Sequence, residues 1–203
     1  MNRRDLLKGS AMLAGVVVLS RRDCAYGAES ETMQVALAGL DALEARLARD
    51  PRRPQFHLLP KRNWMNDPNG PVYWDGKYHM FFQYNPHAAV WGDMHWGHAM
   101  SEDMVHWKHW PVALSPTPEG PDAAGCFSGS AVIDGGVVTV MYTGVVNTSA
   151  SDATINYGVH LFRESQCLAT STDMNLTAWT KSPQAVIPAP PEIKPRIHVC
   201  LVL

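Results

Sequence analysis

No two cysteines in this chain are close enough to form a Cys-x-x-Cys clip; the four present, Cys24, Cys126, Cys167 and Cys200, are widely spread. A zinc site built on paired thiolates is therefore excluded. A surplus of charge is missing too. Seventeen Lys and Arg stand against 19 Asp and Glu, a net charge of -2, so nothing favours tracking a phosphate backbone and no nucleic-acid partner is expected. The N-terminal apolar run, Met12 to Leu19, falls far short of the roughly 20 residues a membrane span needs, and no membrane association is expected of the mature chain. There is no Gly-x-Ser-x-Gly elbow around Ser128, which follows Gly125-Cys126-Phe127, so a serine nucleophile has no motif to stand on. His95-x-x-His98 and His106-x-x-His109 have metal-like spacing. On strands that spacing sends the two rings to opposite faces, and no Glu-bearing zinc helix surrounds them, so neither a metal nor a cofactor is expected.

What remains is the composition of one ordinary soluble domain, 203 residues with 46% apolar content. Its start is distinctive. Arg3-Arg4-Asp5-Leu6-Leu7-Lys8, the apolar run and the small residues around Ala25 to Ala28 resemble a twin-arginine export signal over residues 1–27, which places the mature chain in the periplasm or outside the cell. Apolar residues at Met33, Leu37, Leu40, Leu43 and Leu47 follow helical spacing, predicting an amphipathic helix that Pro51 terminates, with a linker to residue 54. A main domain over 55–192 and an anomalous tail over 193–203 complete the expected organisation. Cys126 and Cys167 are the two cysteines left inside the main domain, and the sequence does not decide whether they pair.

The main domain contains a repeat. Gly70 to Phe82 aligns with Gly129 to Met141 at an offset of 59, and each segment is a β-rich run, an Asp-Gly turn and a second β-rich run. Ala99-Met100-Ser101-Glu102-Asp103-Met104 then matches Ala169-Thr170-Ser171-Thr172-Asp173-Met174 at an offset of 70, each trailed by a tryptophan, Trp107 or Trp179. The larger offset implies an insertion between hairpin and third strand. Units of about four strands in tandem are the signature of a β-propeller, so the fold class is all-β, with about two blades and a remnant preceded by a short helix.

One stretch organises the rest: Trp64-Met65-Asn66-Asp67-Pro68-Asn69-Gly70. Pro68 biases Asp67 toward an extended conformation, and Asn69-Gly70 can supply the positive φ of a tight turn, so a carboxylate is expected to project from a stiff loop. With Phe81-Phe82-Gln83-Tyr84-Asn85-Pro86, Trp91-Gly92, His95-Trp96-Gly97-His98-Ala99 and Phe127-Ser128-Gly129-Ser130, this stretch resembles glycoside hydrolase family 32, the β-fructofuranosidases. The resemblance covers about Gln55 to Pro191 and carries five motifs in order.

The resemblance implies a five-bladed propeller whose funnel holds a furanose ring, hydrolysed with retention. In that frame Asp67 is the nucleophile, Asn66 and Gln83 bind sugar hydroxyls, Trp64, Trp91 and Phe127 are apolar walls, and Ser128 is a further hydroxyl contact. The implied partner is a fructose-containing oligo- or polysaccharide such as sucrose, levan or inulin. The family also carries an Arg-Asp-Pro motif and a Glu-Cys acid/base motif downstream, and neither occurs after the second unit. Arg49-Asp50-Pro51 precedes the nucleophile and reads as a helix stop. The chain as given is thus expected to be an inactive N-terminal fragment. The alternative is a non-catalytic fructan- or sucrose-binding module using Asn66, Asp67, Gln83 and Trp91 as a half-site. Related glycosidases acting on arabinose or xylose are a minor alternative.

Overall fold

The computed structural model describes residues 39, 41–54 and 56–188. The export-signal reading, the beginning of the expected helix and the anomalous tail lie outside the described residues. The chain divides into two units, residues 1–50 and 51–203. In the first, residues 41–48 are helical (α1), and the turn that closes it is made by Arg49 and Asp50 amides donating to the carbonyls of Arg46 and Leu47. Arg49-Asp50-Pro51 therefore occupies a helix terminus, where Pro51 cannot supply the next amide.

The second unit is built from two antiparallel sheets. The first runs in sequential order through β1 (Trp64–Trp74), β2 (Lys77–Asn85), β3 (His95–Ser101) and β4 (Lys108–Leu114). The second contains β5 (Gly125–Asp134), β6 (Val137–Asn147), β7 (Ile155–Tyr157), β8 (His160–Ser171) and β9 (Thr180–Lys181), in the order β5-β6-β8-β7 with β9 also paired to β8. Val72 pairs with His79 on the following strand, as the hairpin reading requires.

Two local expectations need correction. The second hairpin turns at Gly135-Gly136, one residue later than the expected Asp134-Gly135, and Asp134 is the last strand residue, paired with Val137. Gly135 and Gly136 have φ of 53° and 79°, matching Asp75 and Gly76 at 47° and 76°. Both turns need positive φ at two successive positions, and the Gly-Gly pair meets this with less strain than Asp-Gly. The stretch around Asp67 is also not a loop but part of β1, which is bulged between Met65 and Pro68 and again between Asn69 and Val72. Gly70 has φ 45°, and a Cβ built on it would sit 3.1 Å from the Cβ of Ala131. That close approach is what brings β1 of the first sheet beside β5 of the second.

The core lies between the sheets. Phe81, Trp96 and Leu114 from the first pack with Val138, Val140, Tyr142, Cys167 and Ala169 from the second. Cys126 and Cys167 are both buried here as free thiols, so the open question of their pairing is answered in the negative. Asp122 is wholly buried beside them, ion-paired with Lys181 from β9 and accepting hydrogen bonds from Tyr142 Oη (2.8 Å) and Cys126 Sγ (3.3 Å). Burial pushes its pKa up, but the bonds from Lys181 and Tyr142 outweigh that, and the net shift is downward. A buried carboxylate with these partners ties β9, β6 and the start of β5 into one frame.

The repeated Ser-x-Asp punctuation has a physical role in both units. Ser101 Oγ donates to Asp103 Oδ1, and Asp103 then accepts the amides of Val105 and His106. Asp173 does the same for Asn175, Thr177 and Ala178. These hydrogen bonds hold the Asp173 carboxyl down to about 2, foremost that from the Thr177 hydroxyl. Each aspartate closes the turn that ends its third strand. Trp74 Nε1 donates to the Asp173 carbonyl (3.1 Å), linking the first sheet to the turn of the second.

Candidate active site

The site forms where the bulged end of β1 meets β5. Ser128 Oγ donates to Asp67 Oδ2 at 2.9 Å across 61 positions of sequence. This contact fixes one carboxylate oxygen and leaves the other open. Behind it the Gly129 amide approaches Asn69 Oδ1 at 3.4 Å, and Asn69 is buried. The bulge between Cys126 and Gly129 on β5 faces the bulges of β1. A bulge re-aims side chains that strict alternation would send to opposite faces, so consecutive residues Asn66-Asp67 and Phe127-Ser128 can all reach one cavity.

That cavity, of about 170 Å³, is lined by Asn66, Asp67, Gln83, Trp91, Phe127, Ser128, Ile155, Tyr157 and Glu164. Six of the seven residues singled out in the sequence thus come together. Trp64 is the exception. Its indole Nε1 donates to Asn66 Oδ1 at 2.7 Å, so it orients the Asn66 amide, leaving the Nδ2 donors for a ligand, and does not itself line the cavity. Gln83 is buried on β2 and donates to the Cys126 carbonyl at 3.0 Å, which holds its amide in a single orientation. Trp91 meets Phe127, Tyr157 and His160 edge to face, with ring centroids 5.4 to 5.9 Å apart. This aromatic cluster sits on Val145, Ile155 and Phe162, a second, smaller core beneath the cavity.

The metal-like histidine pairs do not act as pairs. His98 turns inward, where its Nε2 lies 2.9 Å from His79 Nδ1, and burial pushes it down to about 3. His95 turns the other way, toward the Asp93 carbonyl (2.7 Å). His106 bonds the exposed Asp103, and His109 donates to the Leu59 carbonyl.

Three lining residues escaped the sequence reading: Ile155, Tyr157 and Glu164. All come from the insertion that separates β6 from the stretch of β8 equivalent to β3. Tyr78 pairs with Ser101 in the first sheet and Val138 with Ser171 in the second, so the matched parts of the third strands begin at His95 and Ser165. The residues before Ser165 form β7 and the first part of β8, a small hairpin that lines one side of the cavity. For Glu164 the sequence gives no signal, because its alternate neighbours His160, Phe162, Gln166 and Leu168 mark no apolar face. In the structure Phe162, Glu164 and Gln166 are buried at alternate positions, which turns the carboxylate inward.

The Glycosyl hydrolases family 32 N-terminal domain model matches residues 57–197. Sucrose-6-phosphate hydrolase of Escherichia coli is 49% identical over 141 residues, covering 68% of this chain and 27% of the relative. Levanase of Bacillus subtilis (strain 168) is 44% identical over 151 residues, covering 74% and 21%. Among solved structures, the GH32 beta-fructofuranosidase BmSUC1 of Bombyx mori superposes with a TM-score of 0.62 at 34% identity, over 80% of this chain and 32% of that one. The chain thus spans about a quarter of the length of these relatives. The two sheets are blades of the family's β-propeller. With the motif residues gathered at the seam between those blades and a family match over most of the described structure, this chain belongs to glycosyl hydrolase family 32 and matches its N-terminal domain.

Proposed function

We propose that this chain is the nucleophile-bearing part of an exported, retaining β-fructofuranosidase that hydrolyses terminal β-D-fructofuranosides such as those of sucrose, levan or inulin. The observation that carries the reading is the convergence of Asn66, Asp67, Gln83, Trp91, Phe127 and Ser128 on one cavity. Asp67 attacks the anomeric carbon through the oxygen that Ser128 does not hold, and the fructosyl ester that forms is then hydrolysed by water. A retaining enzyme also needs a second carboxyl about 5 to 5.5 Å away to protonate the leaving oxygen. In this family that group belongs to the Glu-Cys motif. The Asn66 and Gln83 amides, each held by a neighbour, meet ring hydroxyls in fixed directions, and Trp91 and Phe127 shield the apolar face of the furanose. The test is methanolysis by a form of the protein that carries the Arg-Asp-Pro and Glu-Cys motifs. Release of fructose from sucrose, with methyl β-fructoside formed in methanol, is expected. The α-anomer would overturn the retaining mechanism, and failure to cleave any terminal fructoside would overturn the substrate class.

Export rests on the twin arginines. Replacing Arg3 and Arg4 together by lysine in the precursor is expected to leave it in the cytoplasm, as judged by cell fractionation. Unchanged export would remove the twin-arginine reading.

A binding module is the second reading. It is favoured by one observation, that the carboxylates lining the cavity among the described residues are Asp67 and Glu164, neither of which stands in a Glu-Cys motif.

A further inference from the structure

Between β2 and β3 a nine-residue loop, residues 86–94, carries Trp91 to the edge of the cavity, and this loop together with His95, the first residue of β3, gathers three potential ligands. The side chain of Asn85 shapes its first half, since Oδ1 accepts the amides of His87 (2.9 Å) and Ala88 (3.2 Å) while Nδ2 donates to the Val90 carbonyl (3.0 Å). Its far end is anchored by Met94, which is buried and whose carbonyl accepts the Cys126 amide from β5 (2.8 Å). Asp93 sits just before that anchor at φ 47°, a left-handed conformation that aspartate tolerates better than most residues.

The result is a cluster. His87 Nε2 lies 3.2 Å from Asp93 Oδ2, and His95 Nδ1 lies 4.0 Å from Asp93 Oδ1. The three ligand atoms all fall within 4.8 Å of one another, with the two imidazole rings edge to face at 5.7 Å. We propose that His87, Asp93 and His95 form a binding site for a divalent transition metal ion, at the foot of the loop that holds Trp91.

Ligands bound at about 2.0 to 2.2 Å to one ion in tetrahedral or octahedral geometry stand about 3.0 to 3.5 Å from each other. The His87 and Asp93 atoms already have that separation. His95 closes the remaining gap by a ring adjustment of about an ångström, releasing its contact with the Asp93 carbonyl. Two imidazoles and one carboxylate suit Zn²⁺, Ni²⁺, Co²⁺ or Cu²⁺ and not Ca²⁺ or Mg²⁺, which call for oxygen donors. The side chains of His87 and Asp93 are 67% and 50% exposed, whereas that of His95 is 11% exposed. The site is therefore anchored on one ligand at the sheet and open to water at its remaining positions. Asp93 and Gly92 also line a second cavity of about 200 Å³ together with Trp91, Phe127, His160 and Phe162. An ion clamping His87 to His95 would draw the two ends of the loop together around Trp91.

The experiment is calorimetric titration of the chain, without a histidine tag and stripped of metal by chelation, with Zn²⁺, and with Co²⁺ followed by its visible absorption. One equivalent is expected to bind. A group that merely orients a ligand costs ~10- to 100-fold in affinity when lost, so His87→Ala and Asp93→Asn, both on the exposed side, are each expected to cost at least about tenfold. His106→Ala, which removes the comparable exposed pairing with Asp103, is expected to change nothing. Undiminished binding in both His87→Ala and Asp93→Asn, or no binding in the parent chain, would overturn the site and leave the cluster as an ordinary histidine–aspartate ion pair.

Discussion

Replacing Asp67 by asparagine, in a form of the protein carrying the Arg-Asp-Pro and Glu-Cys motifs, is expected to lower kcat by at least about 10⁴-fold on any terminal fructoside. An amide cannot form the glycosyl ester, and the other carboxylate that lines the cavity among the described residues, Glu164, stands on β8 and not at the Asp67 position on β1. Ser128 lies 2.9 Å away, but its hydroxyl is the donor to Asp67, and among the described residues no histidine lines this cavity to act as its base. The fold should be unaffected. The asparagine carbonyl can accept the same Ser128 hydrogen bond, and Asp67 lies at an exposed position on β1. Thermal unfolding and steady-state kinetics on the same preparation make the check. Turnover retained within tenfold, with an unchanged melting temperature, would take Asp67 out of the nucleophile role.

Residues 28–203 by themselves are expected to release no measurable fructose from sucrose. Loss of one positioned general acid costs ~10² to 10⁴ in rate. Of the acidic residues after Asp67, Asp103 and Asp173 are committed to their turns and Asp122 to Lys181, while Asp75 and Asp134 lie at the hairpin turns. Glu164 is the one that lines the cavity. It is buried on β8, with its amide donating to Thr154 Oγ1, and matches no acid/base motif of the family. If activity is found and Glu164→Gln abolishes it, Glu164 supplies the proton and the inactivity prediction is wrong. If the chain is silent but binds sucrose in a manner lost with Gln83→Ala, the half-site stands on its own as a binding module. Sensitive detection of released fructose, with Asp67→Asn as the blank, separates these outcomes.

Much of the architecture was legible because it is local. The positive-φ turns at Asp75-Gly76 and near Asp134 and the aspartate caps at Asp103 and Asp173 are each specified by a handful of neighbouring residues. The slip of one residue at Gly135-Gly136 shows the limit of that reading. Asp-Gly and Gly-Gly both satisfy the turn, and pairing of Asp134 with Val137 across the sheet decided between them. The hydrogen bond that Trp64 makes was not legible for a similar reason. An aromatic beside a polar cluster can offer an apolar face, a hydrogen-bond donor or both, and the 2.7 Å contact with Asn66 shows the donor.

The sequence by itself determined the kind of element along most of the main domain, the order of the motifs and the identity of the residues around Asp67, since each is written in a short run of residues. Tertiary structure alone decided that Asp67 meets Ser128 and that the insertion hairpin brings Ile155, Tyr157 and Glu164 to the same cavity. The physical reason is the packing of one blade on the next. Gly70 against Ala131, with bulges on both β1 and β5, sets which side chains face one another across the seam, and such contacts join residues about sixty positions apart that share no local pattern.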